Sequence, residues 1–141
     1  MATANTAPIF PGVPSVQWAA TALATANTAK DGTGTVLAAF TAQASPAIGS
    51  RLDYVKVRAL GTNVATVIRF FLNNGLTNAT PANNVLFMER TIAATTLSET
   101  AELADTIIQL DLSLAAGYVV NCTVGTTIAA GVMICGVGGH Y

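Results

Sequence analysis

One histidine, two cysteines and thirteen Lys, Arg, Asp and Glu side chains are what this 141-residue chain offers for reaction chemistry. The histidine, His140, stands next to the last residue of the sequence. A general base placed there would ride on a mobile end rather than a rigid scaffold, so a surface or interface role is expected of it. "KDGTGT" at 30–35 offers a lysine beside two glycines. A phosphate cradle needs its lysine after the glycines and a helix behind them, whereas Lys30 comes first and a strand pattern follows, which predicts a turn. Glu99, Glu102 and Asp105 recur at intervals of three and would share one side of a helix. Their oxygens are too few and wrongly spaced for a calcium loop, and a solvated acidic loop is the simpler reading.

Cys122 and Cys135 remain. If residues 118–124 and 131–137 form a hairpin turning between Ile128 and Ala129, the two cysteines fall opposite one another with Cβ atoms ~5 Å apart, and a bridge is possible. Two free cysteines acting as small apolar side chains in a reducing compartment are the plainer alternative. Neither arrangement has zinc spacing, and no Cys–His–Asp set exists. "NAT" at 78–80 and "NCT" at 121–123 match the glycosylation pattern, which carries little without a secretory leader. No enzyme, metal or cofactor is expected.

The elements that would position these residues are strands. β-Branched residues abound, glycine recurs, and no long segment keeps a 3.6-residue period. Candidate strands span 16–24, 35–42, 51–60, 65–72, 85–92, 106–112, 118–124 and 131–137. "TIIQLDLSL" sets Ile108, Leu110 and Leu112 against Gln109 and Asp111, and "YVVNCTV" sets Val120, Cys122 and Val124 against Asn121 and Thr123. Such period-two alternation marks half-buried antiparallel strands. "RLDYVKVRAL" changes its apolar parity near Tyr54, which predicts a β-bulge, one extra residue restoring the face. Only "TTLSETAELAD" could form a turn or two of helix. The reading is all-β: about eight antiparallel strands in a jelly-roll-like β-sandwich, a single domain over 15–141, preceded by an extended arm over 1–14. Pro8, Pro11 and Pro14 keep that arm from helix, and Ile9, Phe10 and Val13 between them suit docking onto a neighbour.

Composition says how such a sandwich would live. Charged residues are 9% of the chain, against about 25% in a typical soluble domain. Ala and Thr together make about a third of it. A surface so poor in charge is expected to be covered by partners, as a homo-oligomer. A net charge of −1 gives no basic stripe for nucleic acid. No apolar run approaches the ~20 residues that span a bilayer, and "MATANTAPIFPGVPS" lacks the regions of a signal peptide. Synthesis in a cytoplasm is therefore expected.

The stretch "RFFLNNGLTNATPANNVLF" joins two strands that are apolar on both sides. Ile68, Phe70 and Leu72 share one face and Val67 and Phe71 the other. Leu86, Met88 and Ile92 oppose Val85 and Phe87. A sandwich strand facing water is expected to be polar on that side. The pattern therefore predicts that Val67, Phe71 and Phe87 meet another copy, with the Asn-rich loop at the rim of the contact.

Residues Arg58 to Tyr141 also carry a run of ordered motifs: R-x-L-G-T-N-V-A-T, F-x-N-N-G, A-N-N-x-L-F-x-E, A-A-T-T-x-S-E, L-x-A-G-Y and V-G-T-x-x-A-A-G, closing in G-G-x-Y. In this the chain resembles small structural proteins, head decoration or cement-like, of tailed bacteriophages and prophages. The resemblance implies a virion component made in the host bacterial cytoplasm and placed on the capsid surface. Its partners would be the major capsid protein and further copies of itself, three copies suiting a three-fold site. A receptor- or carbohydrate-binding module of a tail or head fibre is the alternative, with Trp18 and Tyr141 as the free aromatics for a sugar.

Overall fold

The computed structural model describes residues 11–141. Eight strands follow one another: β1 Val13–Trp18, β2 Leu37–Thr41, β3 Ser50–Ala59, β4 Thr66–Asn73, β5 Asn84–Ile92, β6 Asp105–Leu114, β7 Val119–Val124 and β8 Val132–His140. They form two four-stranded antiparallel sheets in the orders β1-β8-β3-β6 and β2-β7-β4-β5. Within them β4 pairs with β5, β3 with β6, β2 with β7 and β1 with β8. The pairs nest inside one another like a long hairpin folded over, which is the jelly-roll topology.

The expected eight strands are present, and the first one moves. Val13 and Pro14 open β1, in register with His140 and Gly139. Because β1 is an edge strand, a proline there removes no bond that the sheet needs. The arm expected over 1–14 therefore ends before Val13. Ile9 and Phe10 lie outside the described residues. "TTLSETAELAD" forms no helix; Ser98 Oγ accepts from the Thr100 and Ala101 amides and closes a tight polar turn.

Apolar side chains between the sheets make one core, in which Phe40, Leu52, Val55, Ile68, Phe70 and Ile134 are inaccessible to solvent. Gly136 lets the sheets approach: a Cβ there would strike the Ala39 carbonyl and lie 3.2 Å from Phe40 Cβ. At one open edge a side chain links the layers. Gln17 of β1 donates to the Thr41 carbonyl (2.9 Å) and accepts from the Thr41 amide (2.8 Å), so its amide stands in for a neighbour that β2 lacks.

The parity change in β3 is a bulge, as the sequence predicts. Leu52 pairs with Gly138 and Tyr54 with Val137, leaving Asp53 without an opposite residue. Leu52, Val55 and Val57 then all face the core. Across the other side of β3, Asp111 of β6 takes a left-handed φ of 49° where the register slips. A further bulge falls in β5, where Phe70 pairs with Met88 but Phe71 with Leu86, so that Phe87 is the extra residue. Leu86 and Met88 therefore lie on opposite faces, and the expectation that they share one is corrected.

The hairpin on which a Cys122–Cys135 bridge would depend does not form. The two strands belong to different sheets, so the chain crosses the sandwich between them. Cys122 lies in the core and Cys135 is half-buried, both as free thiols. Burial pushes the Cys122 thiol well above its ordinary range.

Candidate functional site

Among the described residues the fold brings one hydroxyl and one imidazole together, a pairing that sequence spacing does not reveal. His140 belongs to β8, not to a loose end, and its Nδ1 lies 2.6 Å from Ser50 Oγ. Ser50 Oγ also accepts the Gln43 amide at 2.9 Å. The imidazole rests against Phe40, ring centroids 6.2 Å apart. Ser50 is fully buried, so its hydroxyl has no face open to a substrate. The pair pins the ends of β2, β3 and β8 together.

The other chemical candidates also resolve into structure. Asp31 Oδ1 accepts from the hydroxyl and the amide of Thr33, and these bonds, the hydroxyl first, hold its carboxyl below its ordinary range. Asp105 begins β6 and pairs with Lys56 (2.8 Å) and Arg58 (3.1 Å), away from Glu99 and Glu102. The Lys56 bond and the nearby Arg58 charge hold the Asp105 carboxyl below its ordinary range. Among the described residues no three His, Cys, Asp or Glu side chains are drawn together as a metal group would need.

What remains to be assigned are the two outer faces of the sandwich. On the β2-β7-β4-β5 sheet, Arg69, Phe71 and Asn73 of β4 lie beside Thr123, Asn121 and Val119 of β7. This is the face expected to meet another copy, and the chain covers it itself. Phe71 is fully buried, although it lies outside the main core cluster. The covering strip is the excursion between β1 and β2. The Asn27 amide donates to the Val124 carbonyl (2.8 Å), and Arg69 reaches the Asn27 carbonyl (3.4 Å) while its Nε holds Glu89 at 2.7 Å. The Asn27 side chain donates to the Thr33 and Thr35 carbonyls, both at 2.9 Å. From the far side Asn78 donates to the carbonyls of Gly32 (3.3 Å) and Gly34 (2.8 Å).

The Asn-rich stretch therefore does a different job from the one expected. Asn73 donates to Asn84 (2.8 Å), and Asn84 donates to the Asn78 carbonyl (2.9 Å). Gly32, at φ 77°, packs so tightly on Asn84 that a Cβ would come within 2.6 Å of the Asn84 Cβ. Side-chain amides lock one loop of this chain onto another. Of the residues singled out with it, Val67 is half-buried and Phe87 keeps 41% exposure at the β5 edge.

The outer face of the β1-β8-β3-β6 sheet has a different character. Trp18, Cys135, Lys56 and Ile107 stand in one row across the four strands, and Val16, Val137, Tyr54 and Gln109 in the next. Trp18 is 67% exposed, Ile107 58% and Val16 53%. The charges on this face neutralise one another: Arg51 with Asp53 and Asp111, Lys56 and Arg58 with Asp105. Tyr141 follows β8 at the end far from Trp18 and lies 3.2 Å from Ser113 Oγ, so the two aromatics proposed for a sugar do not converge. Comparison with known proteins finds no matching family, no matching curated protein and no matching solved structure.

Proposed function

We propose that this chain is a structural protein of a tailed-bacteriophage particle, a decoration or cement protein that seats on the capsid and stabilises the head by protein–protein contact. The observation that carries the reading is the outer face of the β1-β8-β3-β6 sheet: apolar around Trp18 and self-neutralised in charge. Such a face suits a protein partner, because burying it strands no unpaired charge. The resemblance of Arg58–Tyr141 to phage head proteins supplies the setting. The partners are the major capsid protein and further copies of this chain, with three copies suiting a three-fold site. The work is physical: at ~25 cal/mol per Å², 1,000 Å² of apolar contact contributes up to ~25 kcal/mol before association costs. Repeated over many sites, modest individual affinities reinforce a shell against internal pressure.

The test is to locate the chain on particles. Antibody raised against it should label intact virions, and mild denaturant should strip it before the shell opens and lower the temperature at which the stripped heads burst. Finding it only in the soluble fraction of lysed cells would refute the proposal. The exposure of Trp18 also favours a second reading, a carbohydrate-binding module, since an open indole is a stacking platform for a sugar. A glycan array with no hits would dispose of it.

A further inference from the structure

We infer that the outer face of the β1-β8-β3-β6 sheet is the self-association surface of this protein, and that its occupant is a second copy of the chain. The inference rests on the assembling role proposed above, but names the surface and the partner. Of the two outer sheet faces, one is partly covered by residues 26–35 of the same molecule, held through Asn27, Asn78 and Arg69, and keeps Val85 and Phe87 exposed only on its edge strand β5. The other leaves Trp18, Val16 and Ile107 more than half exposed.

Charge argues for a like partner. Arg51, Lys56 and Arg58 are each bound to Asp53, Asp105 or Asp111 on the same face, so the surface has no net sign with which to select a charged partner. A matching surface must be electrically neutral and apolar around its exposed tryptophan, and this face is itself such a surface, its three cations set against three carboxylates. Size agrees. Four strands ~4.8 Å apart, the longer ones about ten residues at ~3.4 Å, give a face of roughly 500–600 Å² in plan. The accessible area of a corrugated face exceeds its plan area, which brings it near the ~800 Å² per partner of a stable standard interface.

Trp18 is the only tryptophan, so the surface contains its own reporter. Sedimentation of the full chain across a dilution series should give a mass of at least twice 14.3 kDa at high concentration, with Trp18 emission moving to the red as copies separate. Two copies would mean that face meets face, three that the face meets a neighbour's flank; either supports the inference. Trp18→Lys and, separately, Val16→Asp should weaken association at least tenfold with the far-ultraviolet circular dichroism unchanged. Leu97→Asp, a comparably exposed apolar site on a loop, should leave it unchanged. Should one face variant fail to fold, the other carries the test. A wild-type monomer at every concentration, or face variants that associate as wild type does, would overturn the inference. So would a monomer whose Trp18 emission shifts when residues 1–10 are deleted, since the chain's own N-terminal segment would then be the occupant. Particle labelling separates this result from the proposed function, because a chain that never self-associates can still be found on virions.

Discussion

Phe71 is the residue on which the assignment of the two faces turns. Within the single chain it has no exposed surface, and it stands outside the core cluster, on the face where its neighbour Arg69 reaches the Asn27 carbonyl of the strip 26–35. Truncating a buried phenylalanine costs about 3–5 kcal/mol. The strip above Phe71 is a loop that can settle into the space left behind, which places Phe71→Ala near the lower end, about 3 kcal/mol. An unfolding entropy of roughly 2.1 cal/mol/K per residue gives about 0.3 kcal/mol/K for a chain of this length, so the midpoint should fall by about 10 °C. Phe70→Ala, in the rigid space between the sheets, should cost about 4–5 kcal/mol and lower the midpoint by roughly 15 °C. Phe71→Asp places an unpaired carboxylate in the same dry site and should prevent stable folding. Thermal unfolding followed by circular dichroism, checked by urea titration, measures all three. A Phe71→Ala midpoint within about 3 °C of wild type, or a Phe71→Asp variant that folds normally and loses only its partners, would refute the reasoning and return this face to the role of an interface.

Three further outcomes are expected. Asn27→Ala removes the amide that holds the Thr33 and Thr35 carbonyls; it should cost about 1–2 kcal/mol and make 26–35 the first site of limited proteolysis, and an unchanged cleavage map would count against the strip as a lock. Under native conditions a thiol reagent should modify Cys135 and spare Cys122 until denaturant is added, because Cys122 is buried and its thiol is held protonated; equal rates for the two would contradict the burial assignment. The Asp105 carboxyl is lowered in the folded state by Lys56 and Arg58, so its contribution is present above the ordinary carboxylate range and lost as pH falls through the lowered value. Asp105→Asn should accordingly melt lower than wild type at neutral pH and together with it in strong acid, a convergence that pH-dependent melting curves will show or deny.

The fold was largely readable because period-two alternation survives in strands with one wet face. β6 shows it plainly, β7 alternates in sequence although Asn121 and Thr123 on its other face are buried as well, and the Asp53 bulge is legible because apolar residues switch sides within a single strand. The Phe87 bulge was not, since Leu86, Phe87 and Met88 are all apolar and leave no parity to break. The covering of Phe71 was hidden for another reason. The strip over that face, ANTAKDGTGT, has no large apolar residue, and it is held through backbone carbonyls, which every residue possesses and no motif records. The supposed opposition of Cys122 and Cys135 failed because consecutive strands were assumed to be neighbours, whereas the rolled topology sends β7 and β8 to different sheets. Trp18 was noticed as an aromatic, but its place in a neutral apolar row needed the register of four strands.

The nesting of the strand pairs has a consequence for the order of events during synthesis. β4 and β5 are consecutive in the chain and can pair as soon as both have left the ribosome, whereas β1 finds its partner only when β8, at the other end of the described chain, has been made. Each pair outward from β4–β5 closes a longer loop, at an entropic cost that grows slowly with length but precedes any reward from the contact. The hairpin at the centre is therefore the natural nucleus, and Val13–Trp18 is the last strand to be stitched in. Until that moment β8 has a bare edge and Trp18 has no sheet to stand on, so the surface through which copies would meet exists only on molecules that have finished folding.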